Sequence, residues 1–310
     1  MDITLIKTFL EVAATGSFVA ASERLFVTQS AVSLRIQRLE DSLGTPLFTR
    51  SKAGAILTSA GQEFETYAFS LIKLWEEARQ QIAIPEGYSK ALTLGAQYSL
   101  WPRLGFRMID EMQRRDPALS IRSEVGMPDR LTRFLIEGVI QVALTYAPQQ
   151  RPGLTVEPVM EDELVLVASW PAQDTHLEGS YVFVDWGPEF THAHALSLPH
   201  LTDSGVTMAL GALGAEYIVN RRLAAYLPAR SVQRYLDAGR LHLVPEAPRF
   251  AYPVWSVWRD DLKPDIAATA RASLAQVANK AEEDQDAILG SAARIGDDAD
   301  VPRMGAVSHE

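Results

Sequence analysis

Gln29, Ser30, Ser33 and Gln37 fall in one short stretch, with Arg35 and Arg38 among them and Arg50 and Lys52 a little downstream. Glutamine can pair bidentately with adenine, serine can address either edge of a base pair, and arginine or lysine neutralises flanking phosphates. The chemistry on offer is therefore the reading of double-stranded DNA. Val32, Ile36, Leu39 and Leu43, spaced four, three and four apart, share one buried face of a helix and leave Ser30, Ser33 and Gln37 on the other, with Gln29 at the exposed start. Thr28 precedes that helix, where its hydroxyl can accept from a free N–H of the first turn.

Two further elements position this helix. A first helix from Ile3 to about Thr15 carries Ile6, Phe9, Leu10 and Ala13 on one stripe, and a second places Ala20, Ala21 and Leu25 against it. After Gly44 two extended runs, joined by a turn at Gly54, extend to Thr58 and predict a wing beside the reading helix. A solvated face on a small helical bundle would carry similar polar residues. The turn, the three-helix core and the basic hairpin together favour a winged helix-turn-helix.

The residues in register extend further: Phe9, Gly16-Ser17-Phe18, Ala20-Ala21, Leu25, Thr28-Gln29-Ser30-Ala31-Val32-Ser33, Ile36, Leu39-Glu40, Leu43-Gly44, Leu47-Phe48-Thr49-Arg50 and Leu57-Thr58-Ser59-Ala60-Gly61. Through them the chain resembles the LysR-type transcriptional regulators, over about residues 1–83 and more weakly to about 280. Val184-Asp185-Trp186-Gly187 and the run from Gly95 to Trp101 resemble the HdfR-like branch in particular. One departure is Leu34, where family members commonly carry a polar residue; an apolar side chain there can touch a thymine methyl group.

The formal net charge is −10, an unexpected sign for a DNA-binding protein. From residue 281 onward eight carboxylates oppose only Arg294 and Arg303, so over half the excess belongs to the tail. Residues 1–58 are near neutral, and DNA affinity must come from clustered basic groups doubled by dimerisation. There is no cysteine, hence no disulfide, thiolate sensor or cysteine-ligated metal. With no signal peptide and no apolar run of membrane-spanning length, the expected location is the cytoplasm and no membrane partner is expected.

Residues 59–83 predict a linker helix. Ala60, Phe64, Tyr67, Leu71, Leu74, Ala78 and Ile82 are spaced by fours and threes, close to a heptad seam. Such a helix packs on its own domain or pairs with a second copy. The family resemblance implies pairing through Phe64, Tyr67, Leu71, Leu74 and Ala78, in a homodimer and then a homotetramer. Pro85 and Gly87 mark a hinge at 84–89.

Strands and helices then alternate, which implies an α/β unit with a largely parallel sheet. The expected order includes a continuous helix from about Leu100 to Arg115, a second unit from near Leu164, a helix from Gly205 to Tyr217 and a return strand from Tyr252 to Arg259. The resemblance implies a two-lobed, periplasmic-binding-protein-like effector domain over 90–280, with lobe I at about 90–163 and 252–280 and lobe II at about 164–251. Residues 281–310 read as a disordered acidic tail. The fold class is α/β overall, with an N-terminal winged helix-turn-helix and a linker helix.

Ligands of open α/β sheets sit beyond the carboxyl ends of the strands. Gln97, Tyr98, Ser99 and Trp101 occupy such a strand-to-helix turn, where free N–H groups favour an anion, and Tyr146 ends another strand. From the second lobe Asp185, Trp186 and Ser204 are expected, with Arg222 either closing the cleft, pairing with an anion or lying on the surface. Taken singly, the tryptophans equally suit a core and the serines helix caps. His192 and His194 have a metal-like spacing, but no third ligand is at hand and no metal or other cofactor is expected.

No nucleophile elbow, phosphate loop or metal signature is present, so catalysis is not expected. The sequence thus points to a transcriptional regulator whose expected partners are operator DNA, itself, a small effector, anionic if it sits at the Ser99 turn, and RNA polymerase. An architectural DNA-binding protein with an effector-independent oligomerisation domain is the alternative.

Overall fold

The computed structural model describes residues 2–51, 54–209 and 211–293. The chain divides into two compact units, Met1–Pro85 with Arg133–Val139, and Glu86–Thr132 with Ile140–Glu310.

In the first unit α1 (Ile3–Thr15), α2 (Phe18–Leu25) and α3 (Gln29–Leu43) are followed by the hairpin β1 (Phe48–Ser51) and β2 (Gly54–Leu57), then α4 (Ser59–Ile82). Local chemistry fixes each start. Asp2, Ser17, Thr28 and Thr58 accept from the backbone N–H of Thr4, Ala20, Ala31 and Gly61, satisfying donors that a helix N-terminus leaves unpaired. α1 and α3 end at Gly16 and Gly44 in the left-handed region. Phe26 adopts the same conformation in the turn before α3. Ile6, Phe9, Ala21, Val32, Ile36 and Leu39 form the buried core of the head.

The hairpin is tied to that core. Glu40 of α3 accepts from the Leu47 and Phe48 amides at 2.7 and 3.1 Å. α4 joins it as well, because Ala68 and Ile72 are fully buried among the head's apolar side chains. A Cβ on Gly61 would stand 2.2 Å from the Leu47 carbonyl oxygen, so only glycine permits this approach.

Among its described residues the second unit has two larger sheets and one of two strands. The first contains β3 (Lys90–Ala96), β4 (Leu119–Val125), β5 (Val142–Thr145) and β6 (Leu154–Met160), with α5 (Phe106–Arg115) after β3 and α6 (Pro128–Ile136), whose residues from Arg133 onward belong to the first unit, after β4. The second sheet begins with β7 (Glu163–Ala168). Next in the chain come β8 (Phe183–Val184), α7 (Pro188–Ser197), β9 (Thr207–Met208), α8 (Gly214–Ile218), β10 (Ala224–Pro228), α9 (Ala229–Asp237), β11 (His242–Leu243) and β12 (Phe250–Ala251). The chain then returns to the first sheet as β13 (Val254–Arg259) and closes with α10 (Pro264–Ala293).

The order in the first sheet is β4-β3-β5-β13-β6. β3 runs parallel to β4 and β5, while β13 is antiparallel to β5 and β6. The parallel pairing expected of the first α/β unit is found between β3, β4 and β5, whereas in the second sheet β10, β11 and β12 are all antiparallel to β7. β7 follows directly from β6 and lies between strands that come later in the chain.

Other differences have local causes. The helix expected from Leu100 is interrupted: Pro102 is extended and Arg103 has φ 66°, so α5 starts at Phe106. Proline supplies no N–H and excludes helical continuation behind it. The helix expected from Gly205 to Tyr217 is replaced by β9 and the short α8, for Thr207 and Met208 pair with Phe183 and Val184, and Gly211 has φ 55°. His192 and His194 lie on α7, not in a loop, with Pro188 in its first turn. α10 continues through Ala293, past residue 281 where a disordered tail was expected; residues 294–310 lie outside the described residues.

Candidate functional site

On α3 the polar face is open. Gln29, Ser30, Leu34, Gln37 and Arg38 are exposed and Ser33 is half-buried, while Val32, Ile36 and Leu39 are sealed beneath. Gln29 Nε2 donates to Ser33 Oγ at 3.4 Å, and the Thr28 and Ser30 hydroxyls are 3.0 Å apart. These short-range bonds restrict the side chains before any base is met.

Arg35 differs from the expectation. Its guanidinium donates to Thr8 of α1 at 3.4 Å and borders a hollow with Asp2, Lys7 and Trp75, because its position flanks the buried stripe. Arg50 occupies β1 opposite Ala55; its side chain and all of Lys52 lie outside the described residues.

α4 presents two apolar faces. Phe64 meets Phe9 with ring centroids 5.0 Å apart, and Leu71 is half-buried against the same core, so both turn inward. Tyr67, Leu74 and Ile82 are 60, 64 and 85% exposed, and Ala78 is exposed between them. The seam read from the sequence thus splits: part of it completes the head, and the remainder faces solvent in the protomer.

In the second unit the strand ends meet around one buried cation. Gln97 Oε1, just after β3, accepts from the Thr145 hydroxyl and the Tyr146 amide, both at 2.7 Å, and fixes the ends of β3 and β5 together. Tyr146 stacks on Tyr252 at 4.0 Å, and Tyr252 donates to the Trp186 carbonyl at 3.1 Å. Ser99 Oγ accepts from the Ala212 amide at 3.1 Å. Arg230, in the first turn of α9, enters this space at 2% exposure.

Arg230 donates to four groups. Its Nε donates to Asp162 Oδ2 at 2.9 Å, Nη1 to the Pro102 carbonyl at 3.1 Å, and Nη2 to the Ser99 carbonyl at 3.0 Å and the Tyr146 hydroxyl at 2.6 Å. Tyr146 in turn donates to Asp162 Oδ2 at 3.3 Å, and Asp162 Oδ1 accepts from the Glu163 amide at 3.0 Å. Burial would lower the arginine's pKa, but the adjoining Tyr146 and Asp162 outweigh it and hold the value above normal. Burial likewise pushes the Tyr146 phenol upward. The cluster is a charged arginine–aspartate pair bridged by a neutral tyrosine.

The anion site expected at Ser99 is altered accordingly. The Leu100 amide turns back to the Gln97 carbonyl at 2.9 Å, and the segment ahead is broken at Pro102, so no regular first helical turn offers its N–H groups. Trp101 is buried in the first lobe's core against Phe106. Tyr98 is half exposed. Trp186 is anchored by Nε1 to the Tyr226 carbonyl at 2.9 Å.

Asp185 is exposed, caps the Gly187 amide at 2.9 Å and borders a surface hollow with Thr191 and His192. Ser204 binds the Tyr181 carbonyl at 2.9 Å before β9, and Arg222 stacks over Trp170 at 4.8 Å before β10. β8, β9 and β10 run parallel, so both residues lie at the strand ends opposite Trp186 and Arg230. Neither Ser204 nor Arg222 reaches the Arg230 cluster. Arg230, Asp162, Tyr252 and Gly211 were missed by the sequence reading. A cation in the first turn of a helix, where the dipole disfavours it, was the available signal for Arg230.

His194 is buried, with Nε2 2.9 Å from the Tyr181 hydroxyl, while His192 is exposed. Among the described residues no group of three or more His, Asp or Glu side chains is arranged to hold a metal ion. Nor, among them, is any helix long and apolar enough to cross a membrane.

The model of the bacterial regulatory helix-turn-helix protein, lysR family, matches residues 3–62, and that of the LysR substrate binding domain matches residues 85–178. The HTH-type transcriptional regulator HdfR of Salmonella schwarzengrund is 31% identical over 266 residues, which span 83% of this chain and 92% of that protein. The chain belongs to the LysR family of transcriptional regulators. As a LysR-type regulator it combines a DNA-binding helix-turn-helix with an effector-binding domain. Its fold is shared by DarR from Vibrio fischeri, solved in complex with DNA, at a TM-score of 0.53 and 21% identity over 89% of this chain and 98% of that one. ArgP from Mycobacterium tuberculosis is similar at a TM-score of 0.53 and 22% identity, over 90% and 97% of the two chains.

Proposed function

We propose that this LysR-type regulator reads its operator through Gln29, Ser30, Ser33, Leu34 and Gln37, with Arg38, Arg50 and Lys52 on the flanking phosphates. The carrying observation is the open polar face of α3 above a sealed apolar one. Two copies pair through the exposed part of the α4 seam, Tyr67, Leu74 and Ala78, which doubles the weak positive charge of each head; pairs of dimers make the tetramer. A small-molecule effector acts in the region between the lobes bordered by Gln97, Ser99, Tyr146 and Trp186. It changes their relative placement and through it the access of RNA polymerase.

The test is a fluorescence titration of the full-length protein against the DNA upstream of its own gene and against the same DNA shuffled. Preference for the native sequence by at least tenfold, lost in Gln29→Ala, supports the reading. Equal affinity for both DNAs overturns it.

A further inference from the structure

The region between the lobes already holds a ligand-like group. Arg230 comes from α9 of lobe II, and three of its four partners, Tyr146 and the carbonyls of Ser99 and Pro102, belong to lobe I. The fourth, Asp162, lies in the connection from β6 to β7 and is wholly buried. This set consists of acceptors arranged around a planar fork of N–H donors, with one carboxylate to balance one positive charge. The partners are satisfied among themselves as well, since the tyrosine both accepts from the arginine and donates to the aspartate. Arg103 adds a second link across the same line, donating to Gln233 on α9.

An anionic ligand entering here meets an arginine whose charge Asp162 has already neutralised, and by drawing the arginine away would leave that aspartate without its countercharge in a dry site. A guanidinium, by contrast, has every contact prepared. We propose that Asp162, Tyr146 and the carbonyls of Ser99 and Pro102 form a guanidinium-binding site, and that this chain fills it in cis with Arg230, so the two lobes are held together by a built-in ligand. The position of Arg230 at a helix start supports this, because a cation there opposes the helix dipole and is retained for the contacts it makes. Free ligands of the same class, cations bearing a guanidinium or amidinium group, are those able to compete for the site. The inference rests on the reading of the interlobe region as the ligand-facing one. Its test reads thermal stability, not operator binding, so the two fail separately.

Arg230→Ala removes the side chain and leaves the acceptors in place. In the full-length variant, millimolar methylguanidinium chloride should raise the melting temperature by about 2–4 °C over the same concentration of tetramethylammonium chloride, by binding the folded state alone. Wild type should not respond, its site being filled. Arg230→Met, which refills the space with an apolar stem, should melt below wild type and ignore the probe. If Arg230→Ala does not fold unaided, refolding in methylguanidinium but not in tetramethylammonium is the supporting result. Failure of methylguanidinium to stabilise or refold Arg230→Ala, an equal rise in wild type, or an Arg230→Met protein as stable as wild type each overturns the proposal.

Discussion

The Ser99 hydroxyl of lobe I accepts from the Ala212 amide of lobe II at 3.1 Å. The hydroxyl that the sequence offered to an effector therefore also spans the lobes. Ser99→Ala should lose about 1 kcal/mol of stability, the usual worth of one hydrogen bond. Gly211→Ala should cost more, because its Cβ would stand 2.7 Å from Ser99 Oγ at φ 55°. Calorimetric melting of both variants checks the order; a Gly211→Ala protein that melts with wild type would show that the loop is free to move.

Gln29→Ala should weaken operator binding by about 1–3 kcal/mol and leave binding to shuffled DNA unchanged, as expected for a residue addressing a base edge. Arg38→Ala should instead weaken both DNAs alike and lower the salt slope by about one unit. Titrations at several salt concentrations separate the two behaviours.

Leu74→Asp should dissociate the dimer without unfolding the protomer, since Leu74 is exposed within it. Ile72→Ala, two residues earlier on the buried face, should cost the head about 2–4 kcal/mol instead. Sedimentation velocity reports the first and helical melting the second. A dimer that survives Leu74→Asp would place the pairing surface elsewhere.

His194 gives the second unit a dependence on acidity. Burial, with a smaller contribution from His200, lowers its pKa from 6.5 to about 4. Between these values the unfolded chain binds a proton that the folded one refuses, so stability is complete above pH 6.5 and falls as the pH drops toward 4, by about 3 kcal/mol at most. His194→Gln, which keeps a polar partner for Tyr181, should flatten this slope in denaturant titrations over that range.

The head was legible because its signals are local. Thr28 before an apolar 4-3-4 stripe, and glycines at the ends of α1 and α3, act within one or two helical turns. The interlobe region was read less completely. Gln97, Ser99 and Tyr146 do converge, since each follows a strand whose direction the alternating pattern revealed. Arg230 and Asp162 are 68 positions apart, and the antiparallel pairing of β10 with β7, Pro228 opposite Leu164, brings them together. Ser204 was misplaced because β9 takes the place of an expected helix and leaves Ser204 just ahead of a strand, while Arg222 has the surface position that was one of its open alternatives. The helix-start position marks Arg230 as unusual, but it does not say which distant groups the side chain will meet.

The burial of Ala68 and Ile72 under the head, with Gly61 pressed against the Leu47 carbonyl, sets a limit on how this protein can be taken apart. A fragment cut after the wing at residue 58 would lack the lid of its own core. Lys7 and Glu76, paired at 3.1 Å, extend the requirement by another turn. A transplantable DNA-reading cassette must therefore run to about Arg79, carrying most of the exposed pairing surface with it, and any chimera built from this head inherits its choice of partner along with its choice of operator.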